Sequence, residues 1–138
     1  MVIVHGTGSM SDEGTLSWLE NPASRVSYHY LIGLDGRLYR CVQEHHKAWH
    51  AGRSTWLGRE IAGSVNPISV GVALTSDGTE PYTQSQWATL ADLLADLMTR
   101  YRIPPSDVRG HNEVAPGRKI DPYNTFDWAV PLGMVGER

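Results

Sequence analysis

His5, His111 and Asp121 are three residues whose types could hold a metal ion between them. His5 closes the apolar run Val2-Ile3-Val4 just before the turn-forming Gly6-Thr7-Gly8. His111 stands in Arg109-Gly110-His111-Asn112-Glu113, and Asp121 lies ten residues on, in Pro116-Gly117-Arg118-Lys119-Ile120-Asp121-Pro122. Two imidazoles and a carboxylate form a three-donor zinc set that leaves a fourth position for water or a carbonyl oxygen. The 106 positions separating the two histidines follow no regular ligand spacing, so spacing alone does not single them out from the six histidines present. Lys119 sits two residues before Asp121, and in an extended segment both side chains project to the same side. An ammonium group there could stabilise an oxyanion. Cys41, His45 and His46 form a rival donor set, but adjacent histidines seldom chelate one ion, and a lone cysteine at a strand end reads as a small core residue.

These residues need elements to position them. Val2–Val4 reads as a buried first strand and residues 15–19 as a short helix stopped at Asn21-Pro22. Residues 25–32 alternate, and Asp35-Gly36 marks a hairpin turn before a second strand over 37–42. Tyr28 and His29 are neighbours on that alternating stretch, so they are expected on opposite faces, with one of them facing the metal. Residues 43–66 show no period and read as one long ordered loop of functional type. Residues 68–74 form another buried strand. Thr83 and Gln86 make a capping box for a helix whose apolar positions are Trp87, Leu90, Leu94, Leu97, Met98 and Tyr101, ending before Pro104-Pro105. A strand leads from Val108 to His111, and the remainder is loop with a last short helix from Thr125. The mixture predicts a single α/β domain over residues 1–138.

Bulk properties exclude several classes. A net charge of −3 leaves no basic excess for neutralising phosphates, which argues against a nucleic-acid binder. The single cysteine cannot form an internal disulfide. No stretch approaches the ~20 apolar residues of a membrane span. The N-terminus lacks the basic and long apolar regions of a signal peptide, so the expectation is a cytoplasmic protein, released only if another factor opens the membrane.

Four segments occur in order: Val2-Ile3-Val4-His5-Gly6-Thr7, Ser27-Tyr28-His29-Tyr30-Leu31-Ile32, Ala48-Trp49-His50-Ala51-Gly52, and residues 110–122 from Gly110-His111-Asn112 to Lys119-Ile120-Asp121-Pro122. Together they resemble the type 2 N-acetylmuramoyl-L-alanine amidase family, which includes short phage lysozyme-type amidases, bacterial anhydro-muropeptide amidases and animal peptidoglycan recognition proteins. The resemblance runs from Val2 to about Trp128. It implies a central mixed β-sheet flanked by helices, one zinc ion in a surface groove, and hydrolysis of the amide bond between N-acetylmuramic acid and L-alanine in peptidoglycan. It also implies His5, His111 and Asp121 as zinc ligands, Lys119 as the oxyanion-stabilising residue, and Tyr28 rather than His29 as the residue lining the site. His50 and Asn112 would contact substrate. The branch signals are mixed: Asp121 and the Trp49-His50-Ala51-Gly52 loop look bacterial, whereas Tyr28 and Ala73 look phage-like. Asp121 stands where phage members often carry cysteine, and Ala73 stands where the anhydro-muropeptide branch carries a glutamate thought to be its general base. Tyr28 and Ala73 together lead us to expect a monomeric phage-type endolysin. The alternatives are a cytosolic muropeptide-recycling amidase and a non-catalytic peptidoglycan-binding module, the latter disfavoured because all three ligands and Lys119 are present.

Overall fold

The computed structural model describes residues 1–56 and 59–138; of residues 59–62 it describes the backbone alone. β1 (Val2–Gly6) is buried at every position, as its β-branched run predicts. It occupies an inner position in a five-stranded sheet with β2 (Tyr30–Ile32), β3 (Leu38–Arg40), β6 (Val70–Leu74) and β7 (Val108–Gly110), in the order β3-β2-β6-β1-β7. β1 runs parallel to both β6 and β7, and β2 runs parallel to β6. β3 returns antiparallel at the edge through the Asp35-Gly36 turn, so the sheet is mixed. β4 (Arg53–Trp56) and β5 (Arg59–Ser64) make a separate antiparallel pair.

One face of the sheet carries the main core. Val2 and Val4 of β1, Tyr30 and Ile32 of β2, and Val70, Val72 and Leu74 of β6 pack against Trp87, Leu90, Leu94 and Leu97 of α2 (Gln84–Tyr101). α4 (Ala129–Gly136) adds Val130, Met134 and Val135. The capping box is formed: Thr83 Oγ1 accepts from the Gln86 backbone at 3.1 Å, and Gln86 Oε1 accepts from the Thr83 backbone at 3.0 Å. The opposite face presents Ile3 with Ala51, Val65 and Val114, a smaller cluster that leaves room for polar side chains at the strand ends. α1 (Asp12–Glu20) is tied to the ends of β2 and β6, because Asp12 accepts hydrogen bonds from the Leu34 backbone and from Thr75. Among the described residues no helix is long and apolar enough to cross a membrane.

The structure departs from the sequence expectations in four places. Residues 25–29 are not strand: Arg25 is left-handed at φ 55°, and Ser27 bonds to the Trp49 backbone instead of to a neighbouring strand. The stretch 43–66 is not one loop, since it contains the β4–β5 pair and a 3-10 turn over Asn66–Ile68; Leu57 and Gly58, which it also spans, lie outside the described residues. A one-turn helix, α3 (His111–Val114), begins at His111, where a strand was expected to end and give way to loop. The last helix starts at Ala129, four residues after Thr125.

Candidate metal centre and its surroundings

β1 and β7 are neighbouring parallel strands, and their carboxyl ends bring His5 and His111 together. This is the end of a parallel sheet where ligands are usually bound. The His5 and His111 Nδ1 atoms are 3.0 Å apart. Asp121 Oδ2 lies 3.4 Å from His5 Nδ1, and Asp121 Oδ1 lies 3.1 Å from His111 Nδ1. All three residues are buried, and among the described residues they are the one such donor group. A tetrahedral site with metal–ligand bonds of about 2.0–2.1 Å has edges of roughly 3.3 Å, and the three separations fall around that value. Two borderline nitrogen donors and one carboxylate oxygen are also the chemistry zinc takes. The residues fit the ion.

Each donor is fixed from behind. His111 Nε2 lies 2.9 Å from the Ala51 carbonyl oxygen, which can only accept, so that nitrogen carries the proton and Nδ1 carries the lone pair. Arg118 donates to the same carbonyl at 2.7 Å and to the Arg53 carbonyl at 2.9 Å. The Asp121 carboxylate accepts from the Gly6 backbone at 3.2 Å, and its own carbonyl accepts from the Asn112 backbone at 2.9 Å. Glu113 accepts from the Gly110 backbone at 3.0 Å and from Arg109 at 2.9 Å, which starts α3 directly beneath His111. Burial raises the proton affinity of Asp121, but the His111 and His5 rings beside it outweigh that and hold the carboxyl well below its usual range. Burial pushes His5 down to about 4, a shift that the neighbouring Asp121 carboxylate opposes and the nearby His111 reinforces.

Beside this set, the Tyr28 ring centroid lies 5.1 Å from that of His5. Burial, then the negative charge of Asp121, pushes its hydroxyl well above the ordinary phenol range, so it keeps its proton and can act as a donor. Lys119 is exposed, and its charge is among those that oppose protonation of His5, which places the ammonium in the field of the site. Asn112 is exposed. Ala73 is fully buried and pairs in register with His5, so a methyl group occupies the position expected to lack the glutamate.

Three expectations need correction. His50 is not a groove residue: it is 4% exposed and sits behind His5, its Nδ1 2.9 Å from His5 Nε2 and its Nε2 2.9 Å from Ser69 Oγ. Its neighbour Trp49 is the exposed residue of that loop, at 54%. His29 does not turn to the opposite face from Tyr28, because strict alternation fails where the chain is not strand. It is fully buried, with its ring 6.0 Å from His50, its Nδ1 accepting from the Gly71 backbone at 3.0 Å and its Nε2 donating to the His46 carbonyl at 2.7 Å. Cys41 is exposed rather than a small core residue, and it does not gather with His45 and His46, whose tilted rings lie 4.3 Å apart. Ser69 and Arg118 belong to the site's support and were not singled out by sequence reasoning. Their partners lie 19 and 67 positions away along the chain, and no local pattern marks them.

The family profile described as N-acetylmuramoyl-L-alanine amidase matches residues 1–124. The chain belongs to this amidase family. Among relatives, the 1,6-anhydro-N-acetylmuramyl-L-alanine amidase AmpD of Citrobacter freundii is 42% identical over 111 residues, covering 80% of this chain and 58% of its own length. N-acetylmuramoyl-L-alanine amidase A of Achromobacter lyticus is 49% identical over 145 aligned residues, covering 97% of this chain and 81% of its own. The solved structure of AmiD from E. coli, in complex with the substrate anhydro-N-acetylmuramic acid-L-Ala-D-γ-Glu-L-Lys, superposes with a TM-score of 0.87 at 30% identity, covering 97% of this chain and 56% of that one. The chain thus spans about three fifths of the length of the AmpD relative. None of these three amidases is named an endolysin.

Proposed function

We propose that this domain is a zinc-dependent amidase that hydrolyses the bond between the lactyl group of N-acetylmuramic acid and L-alanine, acting on small soluble muropeptides. The observation that carries the reading is the convergence of the His5, His111 and Asp121 donor atoms within 3.0–3.4 Å in a member of this family. The choice of small muropeptides rests on the relatives: AmpD is named for a 1,6-anhydro substrate, and the AmiD complex holds an anhydro-muramoyl peptide. The endolysin role expected from Tyr28 and Ala73 draws no such support.

His5, His111 and Asp121 would hold the zinc ion, which supplies Lewis acidity and makes water a nucleophile near neutral pH. Lys119 offers its charge to the oxyanion that grows as the amide carbonyl is attacked. Tyr28, held protonated, donates a hydrogen bond that orients the reacting groups and can pass a proton toward the leaving amine. Ala73 cannot serve as a base, so proton handling falls to the phenol and to water.

The test is to supply the purified protein with an anhydro-muramoyl tripeptide and, separately, with intact sacculi, and to identify the new ends by mass spectrometry. We expect a free L-alanine amine from the soluble substrate and slower release from sacculi. We also expect one zinc per chain, lost in His111→Ala. New reducing sugar ends would point to a glycosidase and end this reading, while faster release from sacculi would return the endolysin role.

A further inference from the structure

We infer that a part-buried hydrogen-bond chain from the Val65 carbonyl through Ser69 and His50 fixes the tautomer of His5, so that its Nδ1 presents a lone pair to the metal. His50 and Ser69 are then positioning residues for a ligand they do not share, and the inference rests on the metal-site reading above. The direction of the chain follows from its far end. Ser69 Oγ lies 2.7 Å from the Val65 carbonyl oxygen, which can only accept, so the one hydroxyl proton is committed there. Toward its other partner, His50 Nε2 at 2.9 Å, the serine oxygen must therefore accept, and His50 carries its proton on Nε2. Among the described residues no carboxylate bonds to His50, and the ring is 4% exposed, so it is a neutral imidazole with a single N–H. Its Nδ1 is consequently bare and accepts from His5 Nε2 at 2.9 Å. That places the only proton of His5 on Nε2 and leaves its Nδ1 lone pair facing His111 Nδ1, 3.0 Å away.

His111 reaches the same state by a shorter route, since its Nε2 donates to the Ala51 carbonyl. Two lone pairs 3.0 Å apart beside a carboxylate repel one another unless a cation stands among them, so the chain poises the site for a metal ion. Gly71 shows that the fold makes room for this arrangement: a β-carbon there would stand 2.5 Å from His50 Cγ. Without the Ser69 hydroxyl, His50 could hold its proton on Nδ1 instead and donate to His5. The proton of His5 would then sit on Nδ1, in the middle of the donor set.

The test begins on metal-free, uniformly ¹⁵N-labelled protein at pH 7.5, where long-range ¹H–¹⁵N spectra report the tautomer of each imidazole. Wild type should show His5, His50 and His111 all protonated at Nε2. Ser69→Ala should move His5 and His50 toward the Nδ1–H form, leave His111 unchanged, and weaken zinc binding, read by chelator competition, by about 10–100-fold. Ser69→Thr, which restores the hydroxyl, should recover both readouts. If Ser69→Ala does not fold, His50→Asn keeps an acceptor toward His5 and His50→Leu removes it, so the first should retain the wild-type His5 tautomer and the second lose it. The inference is overturned if wild-type His5 is protonated at Nδ1. It is overturned equally if a folded Ser69→Ala keeps both tautomer and zinc affinity, or if the two His50 variants behave alike. Wild-type protein with the expected tautomers but no zinc affinity would sink the metal reading and leave the hydrogen-bond chain standing.

Discussion

A phenol that keeps its proton and an exposed ammonium group stand on the site, and their contributions can be separated one side chain at a time. Lys119 is exposed, so Lys119→Ala removes charge without opening a cavity. We expect it to fold and bind zinc with its kcat lowered by about 10²–10³, the usual loss for one oxyanion donor. Near wild-type turnover would show that the lysine is only a solvated surface group. Tyr28→Phe keeps the ring beside His5 and deletes the hydroxyl. With a methyl group at Ala73 no carboxylate on that strand can share the work, so the fall should be about 10-fold or more, within the range of acid–base contributions. An unchanged rate would remove Tyr28 from the chemistry.

At the scale of elements, α2 is fastened to the sheet by its cap. Thr83 Oγ1 accepts the first-turn Gln86 N–H and donates to the Leu34 carbonyl at 2.7 Å, while Gln86 Nε2 donates to the Thr75 carbonyl at 2.8 Å. Thr83→Ala should therefore cost about 1–2 kcal/mol in chemical denaturation while leaving turnover intact; an unchanged midpoint would mean that packing alone holds the helix. This element was legible in the sequence because both signals, the box and the apolar spacing, lie within one segment. Its last apolar position shows the limit of that spacing, since Tyr101 is 49% exposed and spends its hydroxyl on Glu44 at 2.5 Å. β1 was legible for the same local reason. Residues 25–29 were misread because an alternating pattern describes side chains, whereas the partner of Ser27 is the distant Trp49 backbone. The grouping of His5, His111 and Asp121 was legible through whole motifs and not through spacing. The burial of His50 was illegible, because it depends on Asn66 holding the backbone of residues 50 and 51 and on Ser69 holding the ring.

For the whole molecule, the buried histidines tie stability to pH. Burial lowers His5 to about 4 and His50 to about 2, the latter helped by the neighbouring His5 and His29, against about 6.5 when unfolded. Both folded values are depressed, so their stabilising contribution is fully present above about pH 6.5. It is lost as pH falls, because the unfolded chain takes up protons first. Metal-free protein should lose about 1 kcal/mol per pH unit for each histidine between pH 6 and 5, measured by denaturant titration. The Asp121 and Glu44 carboxyls add a second loss below about pH 4, since both are held below their usual range; for Glu44 the Arg100 pair is the main cause, against burial. A flat profile from pH 7 to 5 would mean that the folded histidines titrate normally. Zinc at a thousandfold excess over its Kd should raise stability by about 4 kcal/mol at neutral pH.

The two imidazoles of the centre are backed differently, and this sets their tolerance to mutation. Beneath His111 the acceptor is a main-chain carbonyl, that of Ala51, which no substitution can delete; it can only be shifted, through Arg118 or through Gly52 at φ 64°. Beneath His5 the acceptor is a side chain, held by another side chain, in a space that only glycine at 71 leaves open. A saturation scan read by zinc retention should therefore be lopsided. Losses should cluster at positions 50, 69 and 71, while residue 51 should accept most side chains small enough for its buried place. The half of the site that genetic drift can damage most readily is the half built on His5.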